Sequence, residues 1–573
     1  MGNLENIIYG ILDKKITKTL VIALTAAAFV LSLLMFPTKL VLAKMLPGKS
    51  DNTFSIYVDT PAGSAIEQTK QVSSCVINIL KKEKEVMNME LFLGQGIPLD
   101  YAGLVKGASM KHTENVAEIS VNLTDKHHRK EPSFLMVQRL RPVIQNTCVP
   151  LVRGTNIKLI EQPSGPPTLA SIVVEVHGEN LSKIRDLSVD VADVLSNTKG
   201  LVDIDLLADE NFEKYDLIPD KEKIARSGLS VKQVNNILYL AFEGMVIGHK
   251  NSKNSPDQIG VFLVLDNESK MLPVSSEAAL QSKLSSLNLM NMRGMMVPLS
   301  EVVTIKKVMS NYMIMHKDLS RMTNVVAETD MVSQVYPLLD AREAMIEKFS
   351  KDYIVTKAPF STYMFDLYLE DKHTHEKFLL RWDGEMKVTL DTFKDLGAAF
   401  ISALVLIFLL LVIYYKSFAI SGIVLLGSFL SLIGVIVGHW VANLFTTETF
   451  FLTATSLIGF IALIGISSRN SLLLIDFAKS LMQCHGLKKR RAIAVAAATR
   501  AKPIMLTAVA IILGSALLAS DPVFGGLGVA LISGTVAAVF VSLFFVPVLM
   551  DNAKAMDFEP KECDLKENIS ITK

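Results

Sequence analysis

The sequence predicts a membrane α-helical bundle of six transmembrane helices that carries a large α+β region outside the membrane. Half of the 573 residues are hydrophobic, but they are concentrated in one run near the N-terminus and in a dense block over residues 397–550. Between these two regions, residues 44–394 have an ordinary globular composition with short strand and helix patterns. A single soluble domain is therefore excluded.

Six segments have the length and composition of membrane spans, because about 20 apolar residues cross a bilayer. The first is preceded by an amphipathic stretch with apolar residues at helical spacing. The predicted spans are residues 20–36 with an extension to 41, 397–414, 419–444, 450–475, 503–519 and 527–550.

Basic residues lie on alternate connections between the predicted spans, and they indicate how the chain is oriented in the membrane. Lys14, Lys15 and Lys18 precede the first span, and seven Lys or Arg residues lie between 479 and 502, whereas residues 446–449 and 520–526 contain neither type. By the positive-inside rule both termini are cytoplasmic, and the soluble region lies outside, in the periplasm of a cell with two membranes. The chain is then a multi-pass protein of the inner membrane.

The first span also has the features of a secretory signal peptide, with a basic start, an apolar core and a small residue at Ala43. Cleavage would leave five spans and move the C-terminus outside. The long apolar core and the amphipathic stretch ahead of it favour an uncleaved anchor.

The soluble region shows two successive β-α-β patterns of similar size, which predict ferredoxin-like α+β subdomains side by side. A change of pattern after residue 205 predicts an inserted subdomain, and the earlier type returns near residue 306. The expected domains are residues 1–43, 44–205, 206–305, 306–394, 395–550 and a cytoplasmic tail at 551–573.

Several classes of function are excluded or disfavoured. The net charge of +1 gives no electrostatic argument for nucleic acid as a partner. No nucleophile triad, phosphate loop or zinc motif is present, so we expect no enzyme, no cofactor and no resident metal. The four cysteines have no metal-ligand spacing. Cys75 and Cys148 share the extracytoplasmic region, where one disulfide remains open as an alternative to the favoured pair of separate thiols.

Arg469 lies inside the fourth predicted span, where an ionisable group is costly and usually marks an ion or substrate pathway. Asp476 follows seven residues later on nearly the same helix face, and Arg500 and Thr507 share that spacing on the next span. Asp476 and Arg500 have an alternative interpretation as snorkelling anchors near the membrane boundary, and Thr507 as a hydroxyl bonded to its own helix. No other predicted span offers a carboxylate at mid-membrane depth.

These residues carry a family resemblance. Residues 453–477 resemble the tenth transmembrane helix of resistance-nodulation-division (RND) multidrug efflux permeases, and residues 500–507 resemble the start of their eleventh. Residues 544–549 resemble the end of the twelfth helix, and residues 381–385 resemble the lead into the eighth. The resemblance covers nearly the whole chain, but only the C-terminal half of the family pattern.

The resemblance implies a proton-motive-force-driven antiporter that exports amphiphilic drugs or toxic compounds. It implies a trimer with a periplasmic adaptor (membrane fusion) protein, an outer-membrane channel and a matching N-terminal half-permease. Arg469 stands at the basic position of the family proton relay, and Arg500 and Thr507 match the eleventh-helix positions. The acidic residues that face this basic position belong to the other half, so independent transport by this chain is in doubt.

The resemblance also suggests a substrate or switch loop and a docking subdomain. Residues 92–103 form a Gly-rich loop that resembles the switch loop of the multidrug members. The alternative interpretation is a flexible surface loop. The inserted residues 206–305 would be the docking-type subdomain, and their neighbours the porter-type subdomains. The switch-loop candidates are Phe92, Gly94, Gly96, Leu99 and Tyr101.

Two other functions remain open. A heavy-metal exporter of copper type is indicated by methionines at 290, 292, 295 and 296 and by His373 and His375, because thioethers suit Cu(I). Methionine is also a common core filler. The third possibility is a non-transporting remnant of a split gene or an assembly scaffold.

Overall fold

The computed structural model describes most of the chain in two compact units. One unit comprises residues 1–59, 69–207 and 314–573, and the other comprises residues 60–68 and 208–313. The described residues are 2–46, 50–98, 101–107, 111–161, 165, 168–208, 210–254, 256, 258–266, 276–311, 313–330, 333–359, 365–446 and 449–559.

Two helices begin the chain, α1 (Gly2–Asp13) and α2 (Lys15–Leu34). On α1, Ile8 and Leu12 are fully buried against the membrane bundle. On α2, the Lys18 ammonium lies 2.7 Å from the Asp551 carboxylate. The helix α2 starts five residues before the predicted span at residue 20, because an α-helix continues into its polar flank while hydropathy marks only the apolar part.

The first sheet follows, with β1 (Thr53–Asp59), α3 (Ile66–Leu80), β2 (Val86–Leu93), α4 (Tyr101–Lys106), β3 (Val116–Leu123), α5 (Ser133–Cys148) and β4 (Asn156–Glu161). Its strand order is β2-β3-β1-β4, and every neighbouring pair is antiparallel. This is the order of a β-α-β-β-α-β unit. Apolar residues of β1 and β3 pack under α3 and α5 to form its core.

A disulfide joins Cys75 on α3 to Cys148 on α5, with Cα atoms 5.8 Å apart. The favoured expectation of two separate thiols is therefore wrong. The two helices cover the same face of the sheet, and this brings together two cysteines that are 73 residues apart in sequence.

The second sheet begins with β5 (Ile172–Gly178), α6 (Leu181–Ser196) and β6 (Leu201–Leu207). The separate unit then interrupts it with β7 (Glu213–Pro219), α7 (Lys221–Arg226), α8 (Val231–Phe242), β8 (Met245–Lys250), β9 (Ile259–Leu263), α9 (Glu277–Ser286), β10 (Asn288–Met290), β11 (Met296–Pro298), α10 (Leu299–Val302) and β12 (Val303–Met309). Strands β7 and β12, which the sequence patterns did not predict, pair with each other and close this unit.

The second sheet resumes with β13 (Met315–Lys317), β14 (Ser320–Thr329), α11 (Val335–Phe349), β15 (Tyr353–Lys357), β16 (Leu367–Asp371) and β17 (Lys377–Asp383). The order β6-β14-β5-β17 repeats the order of the first sheet, and β13, β15 and β16 extend it. Residues 377–383 form a strand paired with β5, so the segment 381–385 that resembles the lead into the eighth helix begins within β17.

The membrane part consists of α12 (Glu385–Tyr415), α13 (Phe418–Phe429), α14 (Leu432–Phe445), α15 (Ala454–His485), α16 (Lys489–Ala519), α17 (Gly525–Phe540) and α18 (Val546–Asn552). Within the described part of the chain, six segments are long and apolar enough to cross a membrane. They are Lys15–Leu34, Glu385–Tyr415, Phe418–Phe445, Ala454–His485, Lys489–Ala519 and Gly525–Asn552.

Two of these segments are not continuous α-helices as predicted. Between α13 and α14, the Ser431 hydroxyl donates to the Ser428 carbonyl, and the amide of Gly434 bonds to the Ser431 carbonyl three residues back. Between α17 and α18, a π-turn spans Val541–Phe545. Pro547 follows it at the start of α18, where its missing N–H interrupts the regular ladder.

Candidate functional site

Arg469 lies on an open face of α15. The opposite side of this helix packs against α17, α16 and α13. Positions one helical turn apart along the open face are exposed: Ile458, Ala462, Gly465, Arg469 and Leu473. The only charge on this part of the stripe is the guanidinium, and its neighbours are apolar.

No hydrogen bond or ion pair reaches Arg469 from any residue that the structure describes. Asp476 lies two turns further along α15, but it does not pair with the guanidinium. Its Oδ1 instead accepts a hydrogen bond of 2.8 Å from the hydroxyl of Tyr415 at the end of α12. The site therefore holds a cation that lacks a counter-charge among the described residues.

The two predicted positions on α16 lie in different environments. The guanidinium carbon of Arg500 lies 4.7 Å from the ring centroid of Phe477, a cation–π contact that ties α16 to α15. The hydroxyl of Thr507 donates to carbonyls of its own helix, at 2.9 Å to Ile504 and 3.1 Å to Pro503. The structure thus brings Arg500 next to α15, while it leaves the Thr507 hydroxyl within α16.

Sequence reasoning missed two polar residues in this bundle. Tyr415 ends the apolar run of α12 beside Lys416, a position typical of an interfacial aromatic anchor, so nothing in the sequence links it to Asp476. His439 lies fully buried in α14, and its presence within the third predicted span was the signal that could have found it.

The Gly-rich loop leaves the end of β2. Phe92 pairs with Glu118 in the ladder between β2 and β3, and Gly94 has a φ of 69°, a conformation that favours glycine. The amide of Ile97 donates to Oε2 of Glu118 at 3.2 Å. Gly96 is half-buried beside it. Of the remaining predicted loop residues, Leu99 lies outside the described residues, and only the backbone of Tyr101, the first residue of α4, is described.

A lysine with a buried ammonium group, Lys111, lies next to Glu118, the residue that accepts the hydrogen bond from the loop. The Lys111 ammonium lies 3.4 Å from the ring centroid of Tyr57 and 3.9 Å from Oε2 of Glu118. Burial lowers the pKa of Lys111, and the neighbouring carboxylates of Asp59 and Glu118 oppose that shift. The fully buried Glu118 thus connects the loop amide to a buried cation.

A second cluster of charged residues, consisting of Arg141, Asp203, Asp330 and Glu161, lies where β4, β6 and β14 approach one another. Arg141 donates to Asp203 at 3.1 Å and to Asp330 at 3.0 Å. Burial raises the pKa of Glu161 to about 7, with further increases from the nearby carboxylates and opposition from Arg141 and Lys44. This glutamate can therefore change its charge near neutral pH.

The two sets of candidate metal ligands, the methionines and the histidines, lie far apart in sequence, and both sets are exposed. The four methionines belong to the β10–β11 hairpin and are 55–96% exposed. His375 Nδ1 lies 3.1 Å from Glu370 in the turn before β17. Among the described residues no group of three or more His, Cys, Asp or Glu side chains could hold a metal ion.

The comparison with protein families decides the identity of this architecture. The sequence model of the AcrB/AcrD/AcrF family matches residues 3–356 and 369–551. The chain belongs to the AcrB/AcrD/AcrF family. The resemblance to RND permeases is thereby confirmed, and this AcrB/AcrD/AcrF family member is a multi-pass membrane protein.

The chain is similar in sequence to several named bacterial proteins. The swarming motility protein SwrC of Bacillus subtilis (strain 168) is 23% identical over 576 residues, which cover 96% of this chain and 47% of SwrC. The multidrug export protein AcrF of Escherichia coli (strain K12) is 22% identical over 545 residues, covering 92% and 47%. The multidrug resistance protein MdtC of Photorhabdus laumondii is 24% identical over 440 residues, covering 75% and 38%.

A crystal structure of a heavy metal efflux pump has the same fold. It matches with a TM-score of 0.68 and 17% identity, over 95% of this chain and 51% of the pump chain. The chain spans about half the length of the relatives it matches, 47% in the case of SwrC and AcrF.

Proposed function

We propose that this chain is the C-terminal half of a proton-motive-force-driven RND efflux permease, with Arg469 as the cationic side of its proton relay. The observation that carries the proposal is the exposed Arg469 guanidinium on an apolar helix face, without a counter-charge among the described residues. A charge at that depth is retained where it has a partner and a use.

The mechanism follows from the charge. A carboxylate on a facing helix would stay ionised beside the fixed guanidinium and would lose that attraction when it takes a proton. Making and breaking the pair would rock the facing helix against α15, and this motion would be coupled to the extracytoplasmic subdomains. Arg500, through its contact with Phe477, would transmit the motion to α16. Asp476 and Thr507 complete the proposed relay.

The proposed location is the inner membrane, with both termini cytoplasmic and the first helix retained. Contacts at the basic end of the bundle support retention. Arg491 lies 2.8 Å from Glu5 of α1, and Lys18 of α2 lies 2.7 Å from Asp551 in the last turn of α18. A cleaved leader would lose both ion pairs.

The proposed assembly is a trimer with a matching N-terminal half-permease, a periplasmic adaptor and an outer-membrane channel. The separate unit, residues 60–68 and 208–313, would contain the docking-type subdomain expected at residues 206–305. In strands β8 and β9 every residue except the half-buried Gly248 is exposed, and the apolar residues Val246, Ile247, Val261 and Phe262 are each 47–57% exposed. An apolar two-stranded ribbon needs a partner to bury it. We infer that another copy of the chain covers it.

The assembly is tested by replacing Val261 and Phe262 with serine. In the purified complex, sedimentation should then report smaller species, since the interface loses its apolar area. Met292→Ser, on the other exposed hairpin, serves as control and should leave the sedimentation unchanged. Unaltered sedimentation of the hairpin variant would assign the β8–β9 surface to something other than the copy interface.

The proposed substrates are amphiphilic drugs or toxic compounds. A copper-type exporter is the alternative, and a non-transporting remnant or scaffold is the alternative of another class. The exposed, separated positions of the methionines and histidines favour the amphiphile over the metal. Growth of cells expressing the complete pump on amphiphilic dyes and on copper separates these substrates.

The decisive experiment co-expresses this chain with a matching N-terminal half and measures dye export. Arg469→Ala should abolish export while assembly persists on native gels, and Arg469→Lys should retain part of it. Lys502→Ala changes an exposed lysine of α16. This variant is the control and should leave export intact. Export that persists with Arg469→Ala contradicts the relay. Export by this chain alone contradicts the half-permease, and no export with any matching half favours the remnant.

A further inference from the structure

His439 is a fully buried histidine on α14 that the proposed relay does not use. Its Nδ1 lies 2.8 Å from the Val435 carbonyl oxygen, and its Nε2 lies 2.8 Å from the Ser456 hydroxyl at the start of α15. A carbonyl only accepts, so Nδ1 carries a hydrogen whatever the charge of the ring. Nε2 is then the atom at which the ring gains or loses a proton.

A chain of hydroxyls leads away from Nε2. Ser456 Oγ lies 3.1 Å from Thr453 Oγ1, which lies 2.8 Å from Thr455 Oγ1. Thr455 Oγ1 lies 3.2 Å from the carbonyl oxygen of Val523, in the partly exposed turn between α16 and α17. The chain therefore connects a buried imidazole to the surface turn at that end of the bundle.

The hydroxyls can all point in one of two directions. When the ring is neutral, Ser456 donates to Nε2, Thr453 donates to Ser456 and Thr455 donates to Thr453. When the ring is protonated, Nε2–H donates to Ser456, and each hydroxyl turns outward, ending with Thr455 donating to the Val523 carbonyl. In both protonation states the ring and the three hydroxyls therefore keep their hydrogen bonds to one another, and in the neutral state the Val523 carbonyl, in its partly exposed turn, is left to solvent.

The packing holds the chain in place. A Cβ at Gly526 of α17 would clash with the hydroxyl oxygens of Ser456 and Thr453, so the absence of a side chain there lets α17 close over them. Ser456 and Thr453 are each 1% exposed, and Thr455 is 8% exposed. Thr455 is therefore the member nearest to solvent.

Few titratable residues lie on the helices that pack against His439. Neither α17 nor the rest of α14 contains a titratable residue, and those of α2, Lys15 and Lys18, lie in its first turn. Those of α15 begin with Arg469, thirteen residues and about 20 Å of helix rise beyond Ser456. No carboxylate of a described residue lies within 4.0 Å of the ring. The remaining charged neighbours at this end of the bundle are Lys39, Lys44, Glu385, Lys387, Asp391, Lys394, Asp395 and Asp521.

We propose that His439 is a second proton-binding site, independent of the Arg469 face, that exchanges its proton with the α16–α17 side of the bundle through Ser456, Thr453 and Thr455. A proton that joins Thr455 Oγ1 releases that hydroxyl's own hydrogen to Thr453, which passes its hydrogen to Ser456. The Ser456 O–H bond then breaks as the Nε2–H bond forms. In the proposed orientation this side is the periplasm.

The test uses the full chain in lipid nanodiscs with 15N-labelled histidine. The His439 signals are assigned by their loss in His439→Gln, whose amide can keep both ring hydrogen bonds. We expect the Nε2 signal to change from a bare to a protonated nitrogen as the pH is lowered from about 9 to about 3.5. A signal unchanged over that range would show that the histidine and hydroxyls serve only as a structural cap.

The route is tested by Thr455→Val, which removes the outer hydroxyl but leaves the Thr453 cap of α15. Proton exchange at Nε2, read from line shapes, should slow by about tenfold or more, the change that about 1.4 kcal/mol of added barrier produces. Thr25→Val is the matched control, because that hydroxyl bonds only to the Val21 carbonyl of its own helix. Equal exchange rates in Thr455→Val and the wild type would overturn the route. None of these outcomes depends on Arg469 or on a second half-permease.

Discussion

The hydroxyl of Tyr415 donates a hydrogen bond of 2.8 Å to Oδ1 of Asp476. This bond joins the C-terminal end of α12 to α15 across 61 residues of sequence. It holds the carboxylate that lies two helical turns from Arg469 on nearly the same face of α15. The two helices are thus fixed to each other at one end, while the guanidinium stays available to a group outside the described residues.

Tyr415→Phe should destabilise the bundle, because it leaves a partly buried carboxylate without its donor. Loss of such a bond costs about 1–3 kcal/mol. The melting temperature of the purified chain should fall, and adding Asp476→Asn should restore part of the loss. Tyr414→Phe is the control, since Tyr414 is 65% exposed. Equal melting of both single variants would show that the bond contributes nothing.

The sequence predicts those parts of the fold that local patterns determine. The apolar runs locate all six candidate spans. Strand β17 was missed as a strand; one of its two neighbours is the adjacent β16, but the other, β5, lies about 200 residues earlier in sequence. Strands β7 and β12 were missed because they pair with each other across the whole intervening segment of the sequence.

In the candidate site, too, the sequence predicts what a local pattern marks and misses what depends on packing between distant segments. The unusual position of Arg469 is visible in the sequence because a charge interrupts an apolar run. The partners of Asp476 and His439 are not visible, because they depend on how helices pack side by side. The disulfide was likewise set by α3 and α5 sharing one face of a sheet, which spacing alone does not reveal.

Replacing Cys75 and Cys148 with serine should destabilise the first subdomain. The disulfide closes a loop with a sequence separation of 73 residues, and the chain-entropy model gives about 4 kcal/mol for such a loop. The melting temperature of the double variant should fall to that of the reduced wild type. A reductant should have no further effect on the variant's first subdomain, monitored by amide exchange in β1 and β3. Unchanged exchange in the variant would contradict a stabilising disulfide.

The stability of the extracytoplasmic region should fall as the pH rises through neutrality. Burial raises the pKa of Glu161 from 4.5 to about 7, so the folded protein holds this proton more tightly than the unfolded chain. The resulting stabilisation is complete below pH 4.5 and is lost as the pH rises through 7, a change of about 3 kcal/mol.

This pH dependence is measured by denaturant unfolding of the detergent-solubilised chain. Trp382 reports the second sheet once Trp440, the other tryptophan, is replaced by phenylalanine. Glu161→Gln should remove most of the slope between pH 5 and pH 8, whereas Glu347→Gln on the exposed face of α11 should leave it unchanged. A slope that survives Glu161→Gln would assign the dependence to another group.

Glu118→Gln should loosen the Gly-rich loop without unfolding its sheet. The amide of Ile97 donates to a fully buried carboxylate, and a hydrogen bond to a charged acceptor is about twice as strong as one to a neutral acceptor. Removing the charge weakens that bond by about 1 kcal/mol, so the Ile97 amide should exchange with solvent about fivefold faster. Amides of β1, on the same sheet, provide the internal control. If the loop is a switch, Glu118→Gln should also change the dye selectivity of the assembled pump. Equal exchange of Ile97 in variant and wild type would show that Glu118 does not hold the loop.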